Sequence, residues 1–185
     1  MGRYVLGVLS GLLLPLAVAL VVIFAGRAPV SALRPSPVPL DWALHTAYER
    51  TVARQAQGLE PPPGFPAPAQ IQAGAGAFEQ MCAACHTPPG RPPTVVSQGL
   101  DPPPPEAARL LQYRTAPQAF WVIGHGVRMS GMPAFGPTHT DAERWELVAF
   151  LSHIAGADAA TYERLVAQAQ AAGAGHGHEH GPHAH

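Results

Sequence analysis

Cys82-Ala83-Ala84-Cys85-His86 is the stretch on which the reading of this chain turns. Two thiols three residues apart can each form a thioether to a vinyl group of one haem, and the adjoining imidazole is then carried against the iron. The same thiols have two rival uses. A redox dithiol wants a βαβ setting, and half of a zinc site wants a second cysteine pair. Neither context is present, since Cys82 and Cys85 are the only cysteines in 185 residues. The expected chemistry is therefore attachment of one haem c through Cys82 and Cys85, with His86 as an axial ligand of its iron.

The flanking sequence reads as helices and loops. From Pro68 to Met81 the pattern predicts a helix with Gly74, Phe78 and Cys82 at four-residue steps on one face, where Gly74 leaves room for another helix. Thr87 to Pro105 is rich in Pro, Gly and small polar residues and reads as a wrapped loop without regular structure. Glu106 to Tyr113 suits one or two helical turns. Ala116 to His125 is a stronger helix, with Pro117 early, apolar Phe120, Trp121 and Ile123, and glycines at its end. After a loop from Met129 to Thr138, Thr140 and Glu143 form a capping box. They open a helix that runs to about Ala155 and is apolar on both sides, hence largely buried.

In this order the elements resemble a monohaem cytochrome c domain of the small bacterial class, over about residues 70–156. The resemblance is closest to membrane-anchored periplasmic cytochromes, whose second motif is similar to His125-Gly126-Val127-Arg128-Met129-Ser130-Gly131-Met132-Pro133-Ala134-Phe135-Gly136. It implies an all-α fold in which N- and C-terminal helices cross beside one covalent haem, plus one N-terminal transmembrane helix. Gly74 would lie at the crossing, with Phe150 as its aromatic neighbour. A methionine of the second motif would be the other axial ligand. Met132 is favoured by the Met-Pro-x-Phe pattern and by Pro133, which stiffens the loop, and Met129 is the alternative. His125 and His139 are rivals for the same position. A proline carbonyl would accept a hydrogen bond from the His86 ring, and Pro92, Pro93 and Pro102 to Pro105 all stand open for that role.

Tyr4 to Ala25 is an uncharged run of about 22 residues, longer than the usual signal-peptide core and without a clean small-x-small site at its end. It predicts an uncleaved anchor. Charge does not orient it, because Arg3 on one side faces Arg27 and Arg34 on the other. The resemblance does, since such proteins acquire haem outside the cytoplasmic membrane. The resulting layout is a transmembrane anchor over 1–26, Pro-rich linkers over 27–68, a cytochrome c domain over 69–157 and a flexible His-rich tail over 158–185. Within the linkers a short helix is expected at 41–57, capped by Asp41, with Trp42, His45, Glu49 and Val52 on one face. The second linker, Gly58 to Pro68, contains Pro61, Pro62 and Pro63 and would hold the haem domain on the order of 30 Å away.

All eleven basic residues are arginine, and twelve acidic residues leave a formal net charge of −1. This excludes a basic nucleic-acid face and a lysine ring for steering partners. In the tail, His176, His178, His180, His183 and His185 are interspersed with Gly and Ala. They suggest either a plain soluble tail or capture of a divalent or copper ion by several imidazoles. The function expected is electron transport by a membrane-tethered periplasmic cytochrome c whose iron cycles between Fe(II) and Fe(III). Its partners would be redox proteins in or at the membrane, and no catalytic acid, base or nucleophile is required. The alternatives are a fixed haem c subunit of a membrane-bound dehydrogenase or oxidase, a ligand-binding haem enzyme, and metal handling led by the tail.

Overall fold

The structure is a computed structural model that describes residues 2–28, 30–33 and 37–173, with the side chains at 3, 5, 6, 8 and 9 outside the description. Its described residues are all-helical, and the chain divides into two compact units, one up to residue 36 and one from residue 37. In the first, α1 runs over Gly2–Phe24 with Pro15 inside it. Among the described residues no helix is long and apolar enough to cross a membrane. Apolar positions 5, 6, 8 and 9 of α1 are among the side chains outside the description.

The second unit is built on α3 (Pro68–Met81) crossing α6 (Asp141–His153). Gly74 is the point of closest approach: a Cβ there would collide with the carbonyl of Glu146 and lie 2.9 Å from the Cβ of Phe150. Glycine is required because two helix backbones meet without room for a side chain. Phe78 packs beside Phe150 with ring centroids 5.4 Å apart. The capping box of α6 forms as its sequence predicts, with Thr140 Oγ1 accepting from the Glu143 amide and the Glu143 carboxylate accepting from the Thr140 amide. Helix α5 (Ala116–His125) has the same device in Thr115 and Gln118. It joins α6 through Phe120, stacked on Trp145 at 4.3 Å, while the Arg144 guanidinium lies 4.5 Å from the Phe120 ring.

Three boundaries differ from the sequence reading. The segment over 159–171, assigned above to a flexible tail, is helix α7 (Ala159–Ala171), capped by Asp158, whose carboxylate accepts from the Thr161 amide. Tyr162, Val166 and Ala169 fall on one face and are buried, so amphipathic packing on α3 orders what low complexity further along suggests is loose. The Tyr162 ring lies edge-on to Phe78, and its hydroxyl donates to Glu79. Arg91, in the loop after His86, bridges Glu79 on α3 and Glu163 on α7. A Tyr162→Ala variant is expected to lose about 4 kcal/mol, the cost of emptying a buried aromatic site. Urea unfolding of the holoprotein measures it, and a loss below about 1 kcal/mol would mean that α7 does not dock.

The second difference is α2 (Val38–Gln55), which begins three residues before Asp41, with Pro37 as N-cap and Pro39 in the first turn. Of the expected face, Val52 is buried and Glu49 pairs with Arg114, whereas Trp42 and His45 are exposed. The third is the segment 58–68, which is not a 30 Å spacer. Leu59 and Phe65 pack on the core, and the Phe65 ring meets Trp145 edge-on at 5.3 Å. Burying one aromatic side chain outweighs the stiffness of three prolines, and turns at Gly58 and Gly64, both at positive φ, fold the segment back. A short helix, α4 (Val95–Gln98), also interrupts the expected loop, while a 3-10 turn at Ala107–Arg109 falls where one or two helical turns are expected.

Candidate haem-binding site

Cys82 caps the C-terminus of α3, its amide donating to the Phe78 carbonyl at 2.8 Å. The chain then coils tightly. The amides of Cys85 and His86 both donate to the Cys82 carbonyl, at 3.0 and 2.8 Å, which gathers two free, half-buried cysteines and His86 into one turn. Burial pushes the Cys82 thiol up to about 12, and neighbouring Cys85 adds to the rise. A dithiol redox centre needs the opposite, an easily formed thiolate. The pair suits a bonded role better than an exchanging one.

The His86 ring is fixed by its Nδ1, 2.8 Å from the carbonyl of Pro105. Taken as the donor, Nδ1 leaves Nε2 free to bind a metal. Of the six prolines open in the sequence, the last one of the Pro102 to Pro105 run takes the role. The reason is local, since the Ala107 amide donates to the Thr87 carbonyl at 3.0 Å and ties the end of the run beside His86. Burial lowers the pKa of His86, with the Pro105 contact acting in the other direction, so the neutral, ligating imidazole is favoured.

The second motif folds back on the end of α5. Gly126 has φ of 64°, and a Cβ there would sit 2.8 Å from the Met132 carbonyl and 2.7 Å from the Ala134 amide nitrogen. The Val127 amide donates to Met132, and the amides of Phe135 and Gly136 donate to Ile123 and Gly124. The loop is thereby pinned at both ends. Met132 packs against the core, whereas Met129 is 84% exposed at φ of 61°. Both histidine rivals are engaged elsewhere. His125 stacks on Trp121 at 4.3 Å and places Nδ1 2.9 Å from the Trp121 carbonyl. His139 is buried, with Nε2 3.2 Å from the Met81 sulfur and Nδ1 2.9 Å from Thr138 Oγ1.

This donor set of two thiols at the end of a helix, an imidazole with one nitrogen committed, and a thioether in a pinned loop fits a haem c. Residues 69–151 match the family model of cytochrome c oxidase, cbb3-type, subunit III. These residues are a c-type cytochrome domain. Haem-based electron transfer follows for it as the general chemistry. No curated protein and no solved structure matches the chain. The match leaves α2, the Phe65 segment and α7 outside the cytochrome domain's family boundaries, although all three pack on it. Sequence reasoning left Pro105 open and missed Arg91, Glu79 and Tyr162. The first lacked a distance, and the others are partnered across 12 to 83 residues. Among the described residues no group of three or more His, Cys, Asp or Glu is placed to hold a metal ion. The five tail histidines lie outside the described residues.

Proposed function

We propose that the chain is a single-haem electron carrier tethered to the cytoplasmic membrane with its cytochrome domain on the periplasmic side. Cys82 and Cys85 would hold the porphyrin covalently, and His86 and Met132 would supply the two protein ligands of its iron. The observation that carries this reading is the pairing of a ring-fixed His86 with a core-facing Met132 in a pinned loop. Bound there, haem c supplies one-electron exchange at its iron. The protein's part is to hold geometry: Pro105 fixes the imidazole plane, and the Val127 and Phe135 hydrogen bonds fix the thioether loop. The tether is supported by the composition of the run Tyr4 to Ala25, about 22 residues without charge.

A second reading is a fixed haem subunit of a membrane oxidase, and the matched family's description as an oxidase subunit favours it. Recovery of a stable complex after detergent extraction selects the subunit, and recovery of the chain alone selects the carrier. In both readings His86 and Met132 would each be taken up by the iron, leaving no ready place for an added ligand. The dithionite-reduced holoprotein at neutral pH is expected to take up carbon monoxide slowly or not at all. Rapid, complete uptake would replace electron transfer with an open-site function.

A further inference from the structure

Two short segments support the His86 imidazole, and both are held from one place outside the matched stretch 69–151. The first, Thr87 to Arg91, leaves His86 directly. The second, Pro105 to Ala108, supplies the carbonyl at His86 Nδ1 and is tied to the first by the Ala107 amide on the Thr87 carbonyl. The turn into α7 and the start of α7 hold each of them. The Gly156 amide donates to the Ala108 carbonyl at 2.9 Å, which secures the second segment from behind. Ala159 lies so close to Gly90, which has φ of 77°, that a Cβ there would come within 2.3 Å of the Ala159 Cβ. The Glu163 carboxylate accepts from Arg91 Nε at 2.8 Å and from Arg91 Nη2 at 3.0 Å, the two-pronged pairing that fixes a guanidinium in direction as well as place.

Arg91 is anchored from the other side as well, its Nη1 donating to Glu79 on α3 and its guanidinium lying 5.2 Å from the Tyr162 ring centroid. Between Arg91 and His86 stand Pro88 and Pro89, whose fixed φ leaves the loop few ways to absorb a displacement. A shift of Gly90 or Arg91 is therefore passed to Thr87, and through its carbonyl to the segment that carries Pro105. The Glu163 side chain is 52% exposed, and an ion pair so open to water adds little stability by itself. Its contribution is direction. We infer that Gly156, Ala159 and Glu163, with Arg91, are positioning residues for His86: the C-terminal helix sets how firmly Nδ1 donates to Pro105, and through that bond the balance of a bound haem iron between its two oxidation states. A donated Nδ1 proton makes the imidazole a more basic ligand, which favours ferric iron, so loosening these contacts raises the midpoint potential. This rests on the haem reading of the site.

The test uses the full holoprotein, isotope-labelled, in detergent micelles and reduced with dithionite. NMR reads exchange of the His86 Nδ1 proton with water beside exchange of the Phe78 and Val148 amides, which lie in the crossing helices α3 and α6. Glu163→Gln removes the charge from the pairing, and Ala159→Ile crowds Gly90 without changing any charge. Each is expected to speed exchange at His86 about tenfold or more relative to the two core amides, as a local opening does, and to move the midpoint potential to more positive values. Arg164→Gln, at the next, exposed position of α7, should leave both as in the parent. Unchanged exchange at His86 in both variants overturns the inference. Equal acceleration at His86, Phe78 and Val148 also overturns it, since α7 would then only stabilise the domain as a whole. So does a potential that moves in Glu163→Gln and Arg164→Gln but not in Ala159→Ile, which would make the effect one of charge. Failure of the haem reading shows differently, as a parent protein whose absorption spectrum does not change on adding reductant.

Discussion

Gly74→Ala is expected to destabilise the cytochrome domain by about 3 kcal/mol, and Gly74→Val to prevent its folding. The sign is diagnostic. In an exposed helix interior the change from glycine to alanine is favourable by up to about 1 kcal/mol, because it reduces backbone entropy in the unfolded chain. At Gly74 the added Cβ meets the Glu146 carbonyl and the Phe150 Cβ, both on α6. The obstacle is backbone, which has no rotamer to change, so relief requires the two helices to move apart along their contact. Thermal unfolding of the holoprotein reads the effect as a fall of roughly 10–20 °C for a domain of this size. A Gly74→Ala melting point equal to or above that of the parent would show that α3 and α6 do not cross at this position.

The second large effect is expected at Met132. Replacing it by alanine removes the thioether, so the weak far-red absorption of a ferric His/Met centre should disappear. The midpoint potential should fall by on the order of 0.1 V, well inside the roughly 0.8 V range that axial ligands command. Thioether sulfur favours the ferrous state, which sets the direction. The reduced variant should also bind carbon monoxide rapidly, unlike the parent. Met129→Ala is the control. Met129 is exposed, so its removal should leave the band in place. Persistence of the band in Met132→Ala together with its loss in Met129→Ala would exchange the two assignments.

How much of this was legible beforehand depends on the distance over which each signal acts. The capping box at Thr140 and Glu143, the helix around Gly74 and the tight turn from Cys82 to His86 are encoded within a few residues, and the structure places them where local pattern does. Pro105 is different. Six prolines satisfy the same chemical requirement, and only the fold of the loop, tied by Thr87 and Ala107, decides among them. Helix α7 was legible in part: Asp158 is a good cap, and Tyr162, Val166 and Ala169 are helically spaced. The histidine-rich composition that follows obscured that pattern. The docking of Phe65 on Trp145 left no local trace, because an aromatic residue among prolines looks the same in a spacer and in a strap. The transmembrane reading of the N-terminus rests on composition alone.

The position of Phe65, taken together with Val52 and Tyr162, bears on where this protein can be cut. The stretch shared with other proteins runs from 69 to 151, whereas the apolar side chains that close its surface come from before and after those limits. A fragment trimmed to the shared stretch would uncover the rings of Trp145, Phe78 and Phe150 and strip Arg91 of one of its two carboxylates. The heritable unit and the self-sufficient unit are different lengths of chain here. Of the two, the longer one, from residue 37 through α7, is the piece to express, graft or permute.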